Sequence, residues 1–157
     1  MKTIHADLYN SDSKIAIIVS KFNKHINNNL LEGAIHALQK IGQIKDENIT
    51  IIWVPGSYEL PLVLNILLKY NSNFSAVIAL GTIIKGETDH FKHIASSVSS
   101  SIIEIMQKRE IPIGFGILIT KNMQQALDRS GGKFGNKGYE AAMTVLEMIN
   151  LINIVKN

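Results

Sequence analysis

At 157 residues the chain is long enough for one domain with a substantial core and short for two, so a single domain over residues 1–157 is expected. Hydrophobic residues make up 46% and charged residues 18%, a balance that fits a soluble domain with some apolar surface left for subunit contacts. The net charge of +3 comes from scattered lysines with few aromatics between them, which excludes a nucleic-acid surface and favours small anionic substrates.

There is no cysteine, so disulfides, thiolate nucleophiles and zinc ribbons are excluded, in keeping with a reducing, cytoplasmic setting. The opening MKTIHADLYNSDSK carries polar and acidic groups where a secretory signal needs an apolar stretch, and no run approaches the ~18 apolar residues of a membrane span. No membrane partner is expected.

In chain order, Thr3 to Leu8 alternates weakly and reads as an extra edge strand or as an arm on a neighbouring subunit. Lys14 to Ser20, KIAIIVS, is a buried strand by its β-branched run. Ile26, Leu30, Leu31, Ala34, Leu38 and Ile41 then recur at helical spacing up to Gly42. Asn48 to Val54 is a second strand, and Ser57 is placed to cap a helix running through Tyr70, with Pro61 in its tolerant first turn.

Ser75 to Leu80 is a third strand, followed by a glycine-bounded loop. A helix then places Phe91, Ile94, Ala95, Val98, Ile102 and Ile105 on one stripe. Pro112 introduces a fourth strand, Ile113 to Thr120, and Asn122 caps a short helix over Met123 to Asp128. The glycine-rich RSGGKFGNKG separates that helix from a last one marked by Ala142, Met143, Leu146, Ile149 and Ile152. Four strand-then-helix units imply a flavodoxin-like three-layer α/β sandwich, a four-stranded parallel sheet with helices on both faces.

Ligands in such a sheet bind beyond the carboxyl ends of the strands, where this chain has Lys21-Phe22-Asn23, Ser57-Tyr58-Glu59, Gly81 to His90, and Thr120-Lys121-Asn122. Gly81 to Thr88, GTIIKGET, has the spacing of a P-loop, but Glu87 stands where the phosphate-binding lysine belongs. Nucleotide hydrolysis is thereby disfavoured, leaving a plain turn or a loop that holds one phosphate on backbone N–H groups. Phe22 is either a core ring or an exposed one on which a planar ligand stacks. Glu59 either complements a helix dipole or accepts bonds from a polyol.

His90 and His93 lie three apart, yet H-E-x-x-H is absent and no third ligand is spaced for a metal, so no metal site is expected. His90 reads better as a proton shuttle, because imidazole gives and takes protons near neutrality. Arg129, Lys133 and Lys137 among four glycines offer an anion site or a solvated loop. Five serines between Ser96 and Ser101 read as a close-packing helix face.

Together, KFN at 21–23, VPGSYELP at 54–61, LGTIIKGETDHF at 80–91 and DRSGGKFGNKG at 128–138 resemble lumazine synthases, over nearly the whole chain and in order. The resemblance implies condensation of 5-amino-6-(D-ribitylamino)uracil with 3,4-dihydroxy-2-butanone 4-phosphate, without metal or organic cofactor. It assigns Phe22 to stacking on the pyrimidine, Ser57, Tyr58 and Glu59 to the ribityl chain, and the backbone of Thr82, Ile83 and Ile84 to the ring. Catalytic roles fall to His90, as proton shuttle, and to Arg129, which takes the phosphate with Glu87 and Thr88.

Phe115, Arg129 and Lys137 are implied to come from an adjacent subunit. Family members form homopentamers around their third helices, giving the serines a use, and many build sixty-subunit shells, some enclosing riboflavin synthase. The uninterrupted GGKFGNKG is similar to the shell-forming members, although Phe134 stands where a smaller residue is usual. Two same-fold alternatives remain, an archaeal-type riboflavin synthase and a non-catalytic flavin-binding shell. A response-regulator receiver needs acidic residues after its first strand, where this chain has Ser20-Lys21-Phe22.

Overall fold

The computed structural model describes residues 1–157. Its main sheet has four parallel strands: β1 (Ile15–Ser20), β2 (Ile49–Val54), β3 (Ala76–Ile84) and β4 (Ile113–Thr120), in the order β2-β1-β3-β4. The helices are α1 (Lys24–Lys40), α2 (Leu60–Tyr70), α3 (His90–Arg109), α4 (Met123–Asp128) and α5 (Lys137–Lys156). This is the expected flavodoxin-like sandwich.

Alternation along the strands decides which helix covers which face. Ile15, Ile17 and Val19 of β1 join Ala76, Ile78 and Leu80 of β3 in a core closed by α1 and α5. Ala16 and Ile18, with Val77 and Ala79, face the opposite way and are covered by Leu60 and Leu64 of α2 and Val98 and Ile102 of α3. All six residues of β1 are buried, as a central parallel strand requires.

α1 and α5 approach closely because Gly138 lies against the Leu30 backbone, where any side chain would collide with the Leu30 carbonyl oxygen. No helix is long and apolar enough to cross a membrane.

The strand order reverses between β1 and β3, since the chain leaves β1 for β2 on one side and then crosses back to β3 on the other. Such a switch point opens a crevice at the carboxyl ends of the two strands. β3 lengthens that crevice. Its last partner on β1 is the Leu80–Val19 pair, whereas its ladder with β4 continues to Ile84–Thr120. Gly81 to Ile84 therefore form an overhang, with a strand on one side only.

Two expectations are corrected. Gly81 to Ile84 belong to a strand rather than to a glycine-bounded loop, so the irregular stretch is confined to Lys85–Asp89. The β4 ladder captures the apolar Thr-Ile-Ile run that the P-loop spacing obscured. Ser57 does not cap α2; it opens a 3-10 turn, Ser57–Glu59, that feeds the helix at Leu60, and its hydroxyl makes no capping bond. Thr3 to Leu8 pairs with no strand of this chain. Its end is held on α5, where the Asn150 side-chain amide donates to the Asp7 and Tyr9 carbonyls at 2.9 and 3.1 Å.

The glycine-rich segment holds a small antiparallel hairpin, β5 (Ser130–Gly132) and β6 (Gly135–Asn136), that periodicity did not signal. Gly131 and Gly135 have positive φ, and Lys137 N–H donates to the Arg129 carbonyl at 2.8 Å to close it.

Candidate functional site

A cleft of about 340 Å³ opens at the switch point. It is lined by Phe22 from the β1 exit, Ser57 and Tyr58 from the β2 exit, Thr82 to Ile84 from the overhang, and Thr88 and His90 before and at the start of α3. Three stretches distant in the chain thus meet in one place, and seven of the residues assigned by resemblance besides His90 line it. The Phe22 ring is 72% exposed, which settles its two readings in favour of an open face beside the cleft.

Local geometry explains why these groups stand where they do. After Ser20 the chain is held to the β2 exit by Lys21 N–H to the Val54 carbonyl, 2.8 Å, and Phe22 N–H to the Pro55 carbonyl, 3.1 Å. Asn23 then adopts the left-handed conformation, φ 61°, which asparagine tolerates, and turns the chain into α1. Its side chain does not cap that helix; it donates to the Thr82 carbonyl at 3.0 Å.

Successive residues of a strand direct their amides to opposite sides. Lys85 N–H donates to the Thr120 carbonyl of β4, so the neighbouring Ile84 peptide groups face the β1 side, beside the cleft and past the last β1 partner. The overhang is thus a donor and acceptor edge for a flat, amide-like ring next to an exposed aromatic face. Gly81 keeps this corner tight, because a Cβ there would stand 2.5 Å from the Ser57 hydroxyl oxygen.

At the other end of the cleft, α3 begins at His90 with its N-terminal amides sparingly used. Asp89 makes no capping bond, and the Thr88 hydroxyl meets the His90 N–H at 3.4 Å. A twenty-residue helix presents a partial positive charge there, suited to an anion. Glu87 is exposed next to this opening, and Glu59 is half-buried at the start of α2; neither side chain lines the cleft. No three His, Asp or Glu side chains converge as a metal site requires.

The remaining candidates lie elsewhere in the chain. Arg129 and Lys137 line a separate cleft of about 430 Å³ beside β4 and the hairpin, sharing no residue with the first. There the Phe134 ring makes contact with two cations, 5.8 Å from the Arg129 guanidinium and 5.4 Å from the Lys133 ammonium. Phe115 is half-buried against the α2–α3 face of the sheet and lines neither cleft.

Sequence reasoning missed Phe91 and Ile94, taken only as core-facing, which also wall the cleft. It also missed Asn27, whose signal was a polar residue beside the apolar stripe of Ile26 and Leu30. A family model described as 6,7-dimethyl-8-ribityllumazine synthase matches residues 12–153, taking in every residue of both clefts. By that match over nearly its whole length, on a fold whose strand ends carry three of the four motifs and whose hairpin carries the fourth, the chain belongs to the lumazine synthase family of transferase-type enzymes in riboflavin biosynthesis.

Proposed function

We propose that the protein condenses 5-amino-6-(D-ribitylamino)uracil with 3,4-dihydroxy-2-butanone 4-phosphate, giving 6,7-dimethyl-8-ribityllumazine, phosphate and water. The observation that carries this reading is the pairing, in one cleft, of the exposed Phe22 ring with the β3 overhang. A pyrimidinedione has two faces to stack and an edge of alternating donors and acceptors, and that pairing suits both. Ser57, Tyr58 and Glu59, at the β2 exit, receive the ribityl hydroxyls.

The phosphate of the second substrate sits at the α3 start with Glu87 and Thr88, the hydroxyl and backbone amides donating to it. Arg129 of an adjacent subunit neutralises its charge, and Phe115 and Lys137 of that subunit close the cleft. The separate position of Arg129 and Lys137 within one chain supports this sharing. His90 reaches the reacting atoms from the cleft wall. It takes a proton as the amine attacks the ketone, returns one as water leaves the carbinolamine, and does the same during phosphate elimination and ring closure. Both substrates are intrinsically reactive, so holding them together supplies much of the acceleration.

The test mixes purified protein with both substrates and follows the lumazine absorbance. Lumazine should accumulate and should not be consumed when supplied alone. Riboflavin appearing from lumazine alone would instead establish the same-fold riboflavin synthase, and no turnover in either assay would leave a flavin-binding shell.

A further inference from the structure

Asn27, which none of the roles above includes, is the one fully buried amide of α1 and is satisfied in three directions. Its Nδ2 donates to the Ser20 carbonyl at 2.7 Å and to the Phe22 carbonyl at 2.8 Å, while its Oδ1 accepts from the Thr82 hydroxyl at 2.6 Å. A buried amide is costly unless bonded, and an apolar residue beside Ile26 and Leu30 would serve helix packing at least as well. These bonds serve no element of α1. They join the end of β1 to the overhang of β3.

With Phe22 N–H given to Pro55 and Phe22 C=O taken by Asn27, both backbone groups that carry the stacking ring are fixed. The Thr82 side chain is tied by Asn27 and its carbonyl by Asn23, so the edge and the ring are referred to a common anchor. We propose that Asn27 is a positioning residue that sets the Phe22 ring against the β3 edge, and thereby sets affinity for the planar substrate alone. The inference rests on the function proposed above.

Four variants test it: Asn27→Ala, Thr82→Val, the double substitution and Asn27→Thr. Asn27→Ala should raise the KM and the calorimetric Kd for the ribitylaminouracil about tenfold, with the KM for the butanone phosphate held within about twofold. Thr82→Val, a milder change that keeps both carbonyl bonds, should act in the same direction, and the double variant should be no worse than Asn27→Ala. Asn27→Thr, whose hydroxyl donates one bond and accepts another, should recover most of the loss. Both KM values rising together, neither changing, or the two single effects simply adding would overturn the inference. If Asn27→Ala fails to fold, Thr82→Val carries the KM comparison. Wild-type protein that binds no ribitylaminouracil would overturn the functional reading and this inference with it, whereas tight binding unaltered in Asn27→Ala would overturn this inference alone.

Discussion

His90 and Arg129 stand in different clefts of the same chain, and their substitutions should separate accordingly. His90→Ala should lower kcat about 10²-fold with little change in either KM, because it removes proton transfer and leaves the binding groups in place. Arg129→Ala should instead raise the KM for the butanone phosphate about 10- to 100-fold, the loss of one charge-assisted bond. Steady-state kinetics with each substrate varied in turn distinguishes the two, and neither substitution slowing turnover would refute both assignments. The sequence singles these residues out because His90 opens a helix that follows a strand and Arg129 borders a glycine run. Asn27 was not legible there, since a fully buried asparagine on a helix looks like any polar residue until the carbonyls it serves are brought to it from β1.

At the scale of elements, the order and type of all four main strands and their helices could be read from periodicity. The length of β3 could not. A glycine and a threonine after Leu80 look like turn chemistry, and only the eight-residue ladder with β4 makes them strand. The β5–β6 hairpin was hidden for the opposite reason, because two- and three-residue strands have no period to detect. The α1–α5 contact supplies a test of packing outside the first cleft. Gly138→Ala drives a methyl group into the Leu30 carbonyl and should destabilise the protein by about 3 kcal/mol. Thermal denaturation should show a Tm lower by about 5–10 °C. An unchanged Tm would mean that α1 and α5 can move apart freely.

For the whole molecule, the proposed division of the site between subunits predicts complementation. Neither His90→Ala nor Arg129→Ala assemblies should be fully active, but chains refolded together one to one should place an intact His90 beside an intact Arg129 at about a quarter of the shared clefts. Activity above that of either parent supports the sharing; a mixture no better than the mean of its parents excludes it. The exposed surface agrees with assembly. Leu62, Ile66 and Tyr70 recur every fourth residue along α2 and are 62%, 47% and 72% exposed, an apolar line that a lone soluble chain has no reason to display. On the shell reading, light scattering should give a mass near sixty chains, and a mass near five would limit the assembly to the pentamer.

On the proposed sharing, the separation of the two clefts also makes catalysis a collective property. A chain that folds perfectly well but meets no neighbour would then hold a cleft without its cation and a cation without its cleft. Ile66→Glu, which charges the α2 line without touching either, should therefore yield a folded protein whose specific activity falls on dilution, so that enzyme concentration itself becomes a determinant of turnover per chain.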